Sequence, residues 1–355
     1  MSRPFLSGDV DDICFDLVAT RSEYGDEERL ADLVEQRLGE LGLERERIGN
    51  ALVARAGGPG TPIALVGHLD TVPNWPDGGV EHTGERVIGR GAADMKGGVA
   101  VMLALLQAAS DDTRPFVAVF YDREEGPHEA NGIHRVLAES RLLQPKPAIA
   151  VVLEPTGGTV HAGAVGSLNA TVAFSGRAAH AARPWEGENA VSAALAEALG
   201  RFAARAPRDT VVDGLTYRDV VTVTMIHGGV AHNVVPDRVE LWVNVRVAPG
   251  NSIDDAKAEV EALAGPAAEV TWSDIAPPAH PNLGNPEIAA FVERADVDVL
   301  PKQAWTDVAT FDAWGVPAFN YGPGESSQAH QPGEWVAVER LRECERVLAA
   351  ELGIA

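Results

Sequence analysis

Over roughly the first 165 residues, short continuous apolar runs alternate with longer stretches of helical periodicity. Leu30, Leu33, Val34, Leu38 and Leu41 recur at helix spacing, which predicts an amphipathic helix over 26–41 with Asp26 as its N-cap. A strand is expected at 62–66. Residues 116–121 and 148–153 are short, rich in β-forming side chains and bounded by turn residues, so they read as core strands. Residues 98–109 are apolar almost throughout, the mark of a buried helix. Strands alternating with helices predict a mostly parallel, helix-covered sheet.

The pattern changes between about 166 and 277, where alternation replaces the continuous apolar runs. Val239, Leu241, Val243, Val245 and Val247 interleave with Trp242, Asn244 and Arg246, as in a sheet buried mainly on one face. Residues 189–206 form an Ala-rich helical stretch, and a second helix is expected from Ser252, whose hydroxyl fits a capping box with Asp255. A proline-rich linker, 276–286, leads back to α/β pattern, with a helix near 287–294, a strand at 317–321 and a closing helix at 339–352. The fold class is therefore α/β: a discontinuous domain of 1–166 and 278–355 on a mostly parallel sheet, with an inserted α+β domain, 167–277. A half-exposed sheet of this kind is expected to pair with another subunit's edge.

Composition narrows the class. An apolar fraction of 45% over 355 residues fits a soluble enzyme with two cores. No charged leader precedes an apolar stretch and no apolar run reaches membrane-spanning length, so neither secretion nor insertion is expected. Cys14 and Cys344 stand far apart in no metal-type spacing, which points to a reducing cytoplasm. The formal charge of −23 argues against nucleic acid as a partner, and an anionic ligand would need local cations.

Five metal-capable side chains lie in five separate segments: His68 in GHLD, Asp94 in ADMKGG, Glu125 in REEG, Glu154 in LEPT and His330 in SQAHQ. The first four are each expected after an apolar, strand-like run, so a parallel sheet would carry all of them to one edge. Two imidazoles and three carboxylates make a donor set for two zinc ions sharing one carboxylate. Asp94, before the glycines that open a helix, suits the shared position. Asp70, two residues beyond His68 on a strand, can accept the imidazole proton and fix the tautomer. Glu124 stands beside the set as a spare base. Taken singly, an H-x-D pair, an N-cap aspartate, adjacent glutamates and a loop histidine are all commonplace; their order along the chain is what specifies a metallohydrolase.

That order, H-x-D, D-M-K-G-G, E-E-G, E-P-T and a late histidine, resembles the M20 family of di-zinc peptidases and amidohydrolases over nearly the whole chain. The resemblance implies a zinc-peptidase type catalytic domain with a lid or dimerisation insert. It implies that His68 and Glu154 hold one zinc, that Glu125 and His330 hold the other, and that Asp94 bridges them, with cobalt(II) as an alternative ion. Glu124 matches the family's general base and Asp70 the residue that orients the first histidine, and the Asp94–Met95 peptide is expected to be cis. Segments 176–190, 232–237, 305–308 and 319–324 resemble the succinyl-diaminopimelate desuccinylase branch in its actinobacterial form. This implies a cytoplasmic homodimer of lysine and diaminopimelate biosynthesis acting on a small anionic N-acyl amino acid.

By that likeness His180 reaches the partner's active site across a homodimer, and Asn233, Arg246 and Thr306 contact substrate. Proteobacterial relatives carry an arginine pair where this chain has Ala164 and Val165, so Arg183 or Arg177 is expected to supply the missing carboxylate contact. Rival readings within the family are acetylornithine deacetylase, aminoacylase and metallo-carboxypeptidase. A non-catalytic zinc-binding scaffold is the rival from another class, and the intact Glu124 speaks against it.

Overall fold

The strand Phe116–Tyr121 is buried at every position and pairs in parallel with Ile63–His68 and antiparallel with Ala51–Ala56. Its unbroken apolar run is what a strand covered on both faces requires. In the computed structural model, which describes residues 3–74 and 79–354, it belongs to an eight-stranded sheet. The strand order is Glu44–Ile48, Ala51–Ala56, Phe116–Tyr121, Ile63–His68, Ala150–Val152, Ala318–Asn320, Val160–Ala162 and Val299–Pro301. The central pairs, from Phe116–Tyr121 through Ala318–Asn320, are parallel. The strand Ala318–Asn320, from late in the chain, is inserted between two strands that are close neighbours in sequence.

Helices Val10–Ala19, Gly97–Ala108 and Val338–Leu352 pack on one another, and Gly97–Ala108 also lies on Ile63–His68 and Phe116–Tyr121. Helices Glu28–Glu40 and Ile133–Glu139 cover the strands at the Glu44–Ile48 edge. One core runs through these elements and includes Val34, Leu65, Met102, Phe120, Phe319 and Leu348. A small antiparallel sheet of Glu81–His82, Arg86–Ile88 and Trp335–Ala337 joins the segment before Asp94 to the segment after His330. Among the described residues, no helix is long and apolar enough to cross a membrane.

The chain divides into two compact units. The first comprises Met1–Gly163, Pro281–Leu300 and Thr306–Ala355; the second comprises Ala164–His280 and Pro301–Trp305. The second is a few residues wider at each end than the change of pattern. Ala164 and Ala279 exchange both backbone hydrogen bonds, and the Val165 amide donates to the Lys302 carbonyl. These contacts zip the two crossings together beyond the point where the side-chain pattern changes, and bring 301–305 with them.

The second unit is a five-stranded antiparallel sheet in the order Arg208–Val212, Leu215–Gly228, Arg238–Val247, Gly166–Ser175, Glu269–Ala276. Helices Ala193–Ala204 and Ile253–Ala264 pack against each other and on its central strands. Val239, Leu241, Val243, Val245 and Val247 are buried beneath them, whereas Trp242 is exposed and Asn244 and Arg246 are half-buried.

Two helix starts differ from the sequence expectation. The first-unit helix begins at Glu28, because the Asp26 amide closes a turn onto the Glu23 carbonyl; Asp26 caps nothing, and the Glu27 carboxylate accepts from the Gly25 amide at 2.7 Å. The Ala-rich helix begins at Ala193 behind a Ser192 cap, because Ala190 is drawn aside to pair with the Pro236 carbonyl. The Ser252 cap stands as expected, its hydroxyl accepting from the Asp255 amide at 3.2 Å.

Candidate active site

Three parallel neighbours end at the same sheet edge and carry candidate ligands there. His68 closes the strand Ile63–His68, Glu124 and Glu125 follow Phe116–Tyr121, and Glu154 lies two residues past Ala150–Val152. Asp94 does not arrive this way, which corrects the expectation that one sheet delivers the first four ligands. It sits in the turn Ala92–Lys96, after a strand of the small sheet, and its peptide to Met95 is cis. The glycines that follow have a steric reason. A Cβ on Gly98 would lie 2.4 Å from the Leu153 carbonyl oxygen, so the helix Gly97–Ala108 can approach the end of the Glu154 strand only without one.

The two carboxylate oxygens of Asp94 face different imidazoles. Oδ1 lies 3.4 Å from His68 Nε2, and Oδ2 lies 3.5 Å from His330 Nε2. Glu154 Oε1 is 3.9 Å from His68 Nε2, and Glu125 Oε1 is 3.1 Å from His330 Nε2. The ring of His68 is fully buried, with Nδ1 3.0 Å from the backbone carbonyl of Asp70. A carbonyl only accepts, so Nδ1 carries a hydrogen and Nε2 of the neutral ring presents a lone pair. That Nε2 has no hydrogen-bond partner among the described residues. A buried Nε2 facing two carboxylates calls for a cation among them, a proton on the ring or a metal in its place. Ligand atoms of His68, Asp94 and Glu125 all lie within 4.8 Å of one another, and imidazole with carboxylate is a donor set for zinc-like divalent ions. The residues therefore fit a metal.

The carboxylates dominate the local electrostatics. Burial alone would lower the basicity of His68, but Asp70 and Asp94 outweigh it and raise it well above the ordinary value. His330, half-exposed and with a left-handed φ of 62°, is raised chiefly by its contact with Glu125. Glu124 is pushed well above the usual carboxylate range, first by burial and then by Glu154, Glu125 and Asp307, with His68 opposing.

Asp70 supports the site differently from the sequence reading. Its carboxylate is 3.6 Å from His68 Nδ1 and accepts instead from the amides of Glu124 at 3.1 Å and Glu125 at 2.9 Å. It is the Asp70 carbonyl that meets the imidazole. One residue thus holds both the first histidine and the turn carrying the two glutamates.

Thr306 is buried in the first unit, and its hydroxyl has no hydrogen-bond partner among the described residues. Its neighbour Asp307, fully buried, accepts from Tyr121 Oη at 2.6 Å, Asn131 Nδ2 at 2.8 Å and Thr310 Oγ1 at 2.7 Å. The Tyr121 ring in turn packs edge-on to His68, with centroids 6.1 Å apart. Asp307 stands inside segment 305–308 yet carries no signal of its own in the sequence, because Tyr121 and Asn131 are too distant along the chain to mark it. Glu334, also buried, is silent in the sequence for the same reason.

The remaining candidates belong to the second unit. Segments 176–190 and 232–237 pair with each other: His180 bridges Val234, the Ala181 amide donates to Asn233, and Val235 donates to Ala179. His180, Arg177, Arg183 and Asn233 are all exposed there. The Ala182 amide donates to His180 Nδ1 at 3.0 Å, so the neutral ring carries its hydrogen on Nε2. Arg177 is in backbone pairing with Glu188, and Arg183 faces Glu186 at 3.5 Å. Arg246 donates from Nε to Asn244 Oδ1 at 3.1 Å, and burial depresses its guanidinium pKa.

The family model described as peptidase family M20/M25/M40 matches residues 64–352. A Mycobacterium tuberculosis protein described as "Putative succinyl-diaminopimelate desuccinylase DapE" is 38% identical, over 98% of this chain and 99% of its own. The succinyl-diaminopimelate desuccinylase of Corynebacterium glutamicum is 33% identical, over 94% and 93% respectively. The crystal structure of a tripeptidase from Staphylococcus aureus is similar in fold, with a TM-score of 0.78 at 20% identity over 97% of each chain.

Proposed function

The chain belongs to peptidase family M20/M25/M40 and is a metal-dependent hydrolase of that family, and from this premise we propose that it cleaves N-succinyl-LL-2,6-diaminopimelate to succinate and LL-2,6-diaminopimelate. The observation that carries the two-metal reading is Asp94, one carboxylate facing two imidazoles. Identity of 38% and 33% to desuccinylase-named relatives along almost the whole chain supports the substrate.

His68 and Glu154 would hold one zinc, Glu125 and His330 the other, and Asp94 both. Bound there, the ion pair supplies Lewis acidity toward the acyl carbonyl and the attacking water. Glu124 takes the proton from that water as its oxygen attacks the succinyl carbon. The same carboxyl then passes the proton to the departing nitrogen as the amide C–N bond breaks. Asp70 fixes the backbone that carries Glu124 and Glu125 by accepting from both amides.

His180 is the proposed oxyanion donor, supplied by the partner in a homodimer; its Nε2–H tautomer supports this. The dimer itself is supported by the strand Leu215–Gly228. Its pairing with Arg208–Val212 covers only 215–219, leaving an outer edge beyond Val220 where Met225 and Ile226 are exposed. Arg246 and either Arg183 or Arg177 would hold substrate carboxylates, and Asn233 and the unpaired hydroxyl of Thr306 would hydrogen-bond to substrate. We place the enzyme in the cytoplasm, in lysine and diaminopimelate biosynthesis.

The test is a panel of N-acyl substrates assayed with added zinc. Preferred cleavage of N-succinyl-LL-2,6-diaminopimelate supports the proposal. Preference for N-acetylornithine or a peptide would reassign the substrate within the family, and cleavage of none would defeat the substrate reading altogether.

A further inference from the structure

Glu334 lies four residues beyond His330 and is 1% exposed. Its carboxylate is ringed by donors. Oε1 accepts from the amides of Ala93 at 2.9 Å and Asp94 at 3.0 Å. Oε2 accepts from the Gly91 amide at 3.0 Å and Arg90 Nη1 at 3.0 Å. The backbone carbonyl of the same residue accepts from the Gly89 amide at 2.8 Å. Every partner donates, so the group is used as an ionised acceptor only.

The turn it grips needs such a partner. Asp94 and Met95 depart from helical φ and ψ, and the turn has no side-chain cap at its own N-terminus. Without Glu334 the buried amides of Gly91 and Ala93 and the part-buried amide of Asp94 would lose their acceptor, at the desolvation cost of unpaired donors. Pairing of Trp335–Ala337 with Arg86–Ile88 sets the register that brings Glu334 to them. Asp94 is thereby fixed at its backbone amide by Glu334 while its carboxylate faces His330 at 3.5 Å.

We propose that Glu334 is the positioning residue that locks the Asp94 turn to the His330 segment, so that the metal affinity of the centre depends on it. This rests on the metal-centre reading given above. A glutamine is not an equivalent replacement. Its single oxygen could serve one pair of donors, and its amino group would then confront the other pair.

The experiment titrates metal-free wild type, Glu334→Gln and Glu334→Asp with zinc against a chromophoric chelator, and records the visible spectrum of each with cobalt(II). Glu334→Gln is expected to bind zinc about 10–100-fold more weakly, the range for outer residues that orient ligands, and to shift the cobalt bands. Glu334→Asp, which keeps the charge but draws it back by one methylene, is expected to lose less. Gel filtration and circular dichroism identify the variants that fold. A folded variant that binds zinc as tightly as wild type, with only a lower Tm, overturns the proposal. If Glu334→Gln fails to fold, the aspartate variant decides on the same criterion. Wild type that binds no zinc would instead sink the metal-centre reading itself, and the role of Glu334 with it.

Discussion

Glu124 and Glu125 are adjacent in sequence and opposite in circumstance. Glu125 reaches His330 at 3.1 Å, while Glu124 is left among carboxylates and burial that raise its proton affinity. Glu124→Gln is therefore expected to retain zinc, by atomic absorption, and to lose about 10²–10⁴-fold in kcat. Turnover near the parent rate would remove Glu124 as the base. His180→Ala is expected to lower kcat by about 10²-fold or more while sedimentation still reports an unchanged assembly. Full activity in that variant would end the cross-subunit role. The metal-capable residues were legible in sequence because each has chemistry of its own and four of the five precede or follow recognisable elements. Asp307 and Glu334 were not, because what marks them is a set of partners, Tyr121 and Asn131 for one and three backbone amides for the other, that only the fold assembles.

At the scale of elements, close approach is bought by glycine. Gly98 lets its helix touch Leu153, and a Cβ on Gly324 would lie 2.3 Å from the Ala93 carbonyl oxygen. Gly98→Ala is expected to cost about 1–3 kcal/mol by overpacking, read from denaturant unfolding, and to weaken zinc binding because Glu154 follows directly. Gly200, exposed within Ala193–Ala204 with nothing within 4 Å of an added Cβ, is the control; Gly200→Ala should be neutral or stabilising by up to about 1 kcal/mol. Equal losses in both variants would refute the steric account. The helix Glu28–Glu40 was legible through its apolar spacing, and the helix Gly97–Ala108 and the strands Ile63–His68 and Phe116–Tyr121 through unbroken apolar runs; Val10–Ala19, Ile133–Glu139 and Ala51–Ala56 drew no expectation. The strands Glu81–His82, Arg86–Ile88 and Trp335–Ala337 are two or three residues long and display no period, yet they aim Asp94. Capping misled at Asp26 because a turn from Glu23 uses that residue first.

For the molecule as a whole, fifty-two acidic residues against twenty-nine basic ones leave a formal charge of −23, and part of that excess converges on the candidate centre. Cations should therefore stabilise the fold as well as activate it. Chelation is expected to abolish activity and lower Tm, and zinc or cobalt(II) to restore both. Metal at a hundredfold excess over its Kd should add about 2.7 kcal/mol of stability. A Tm indifferent to metal would contradict this, and is measured by calorimetry with and without chelator.

The strand Ala318–Asn320 has a consequence for how the polypeptide is made. It lies between Ala150–Val152 and Val160–Ala162, so both wait for a partner synthesised much later. Until that strand is made, Ala150–Val152 and Val160–Ala162 each have a strand edge of backbone N–H and C=O groups without its native partner. Pairings so remote in sequence form slowly and leave unpaired strand edges open to other chains. Chaperone demand and inclusion-body formation should accordingly track the interval before that last strand drops into place.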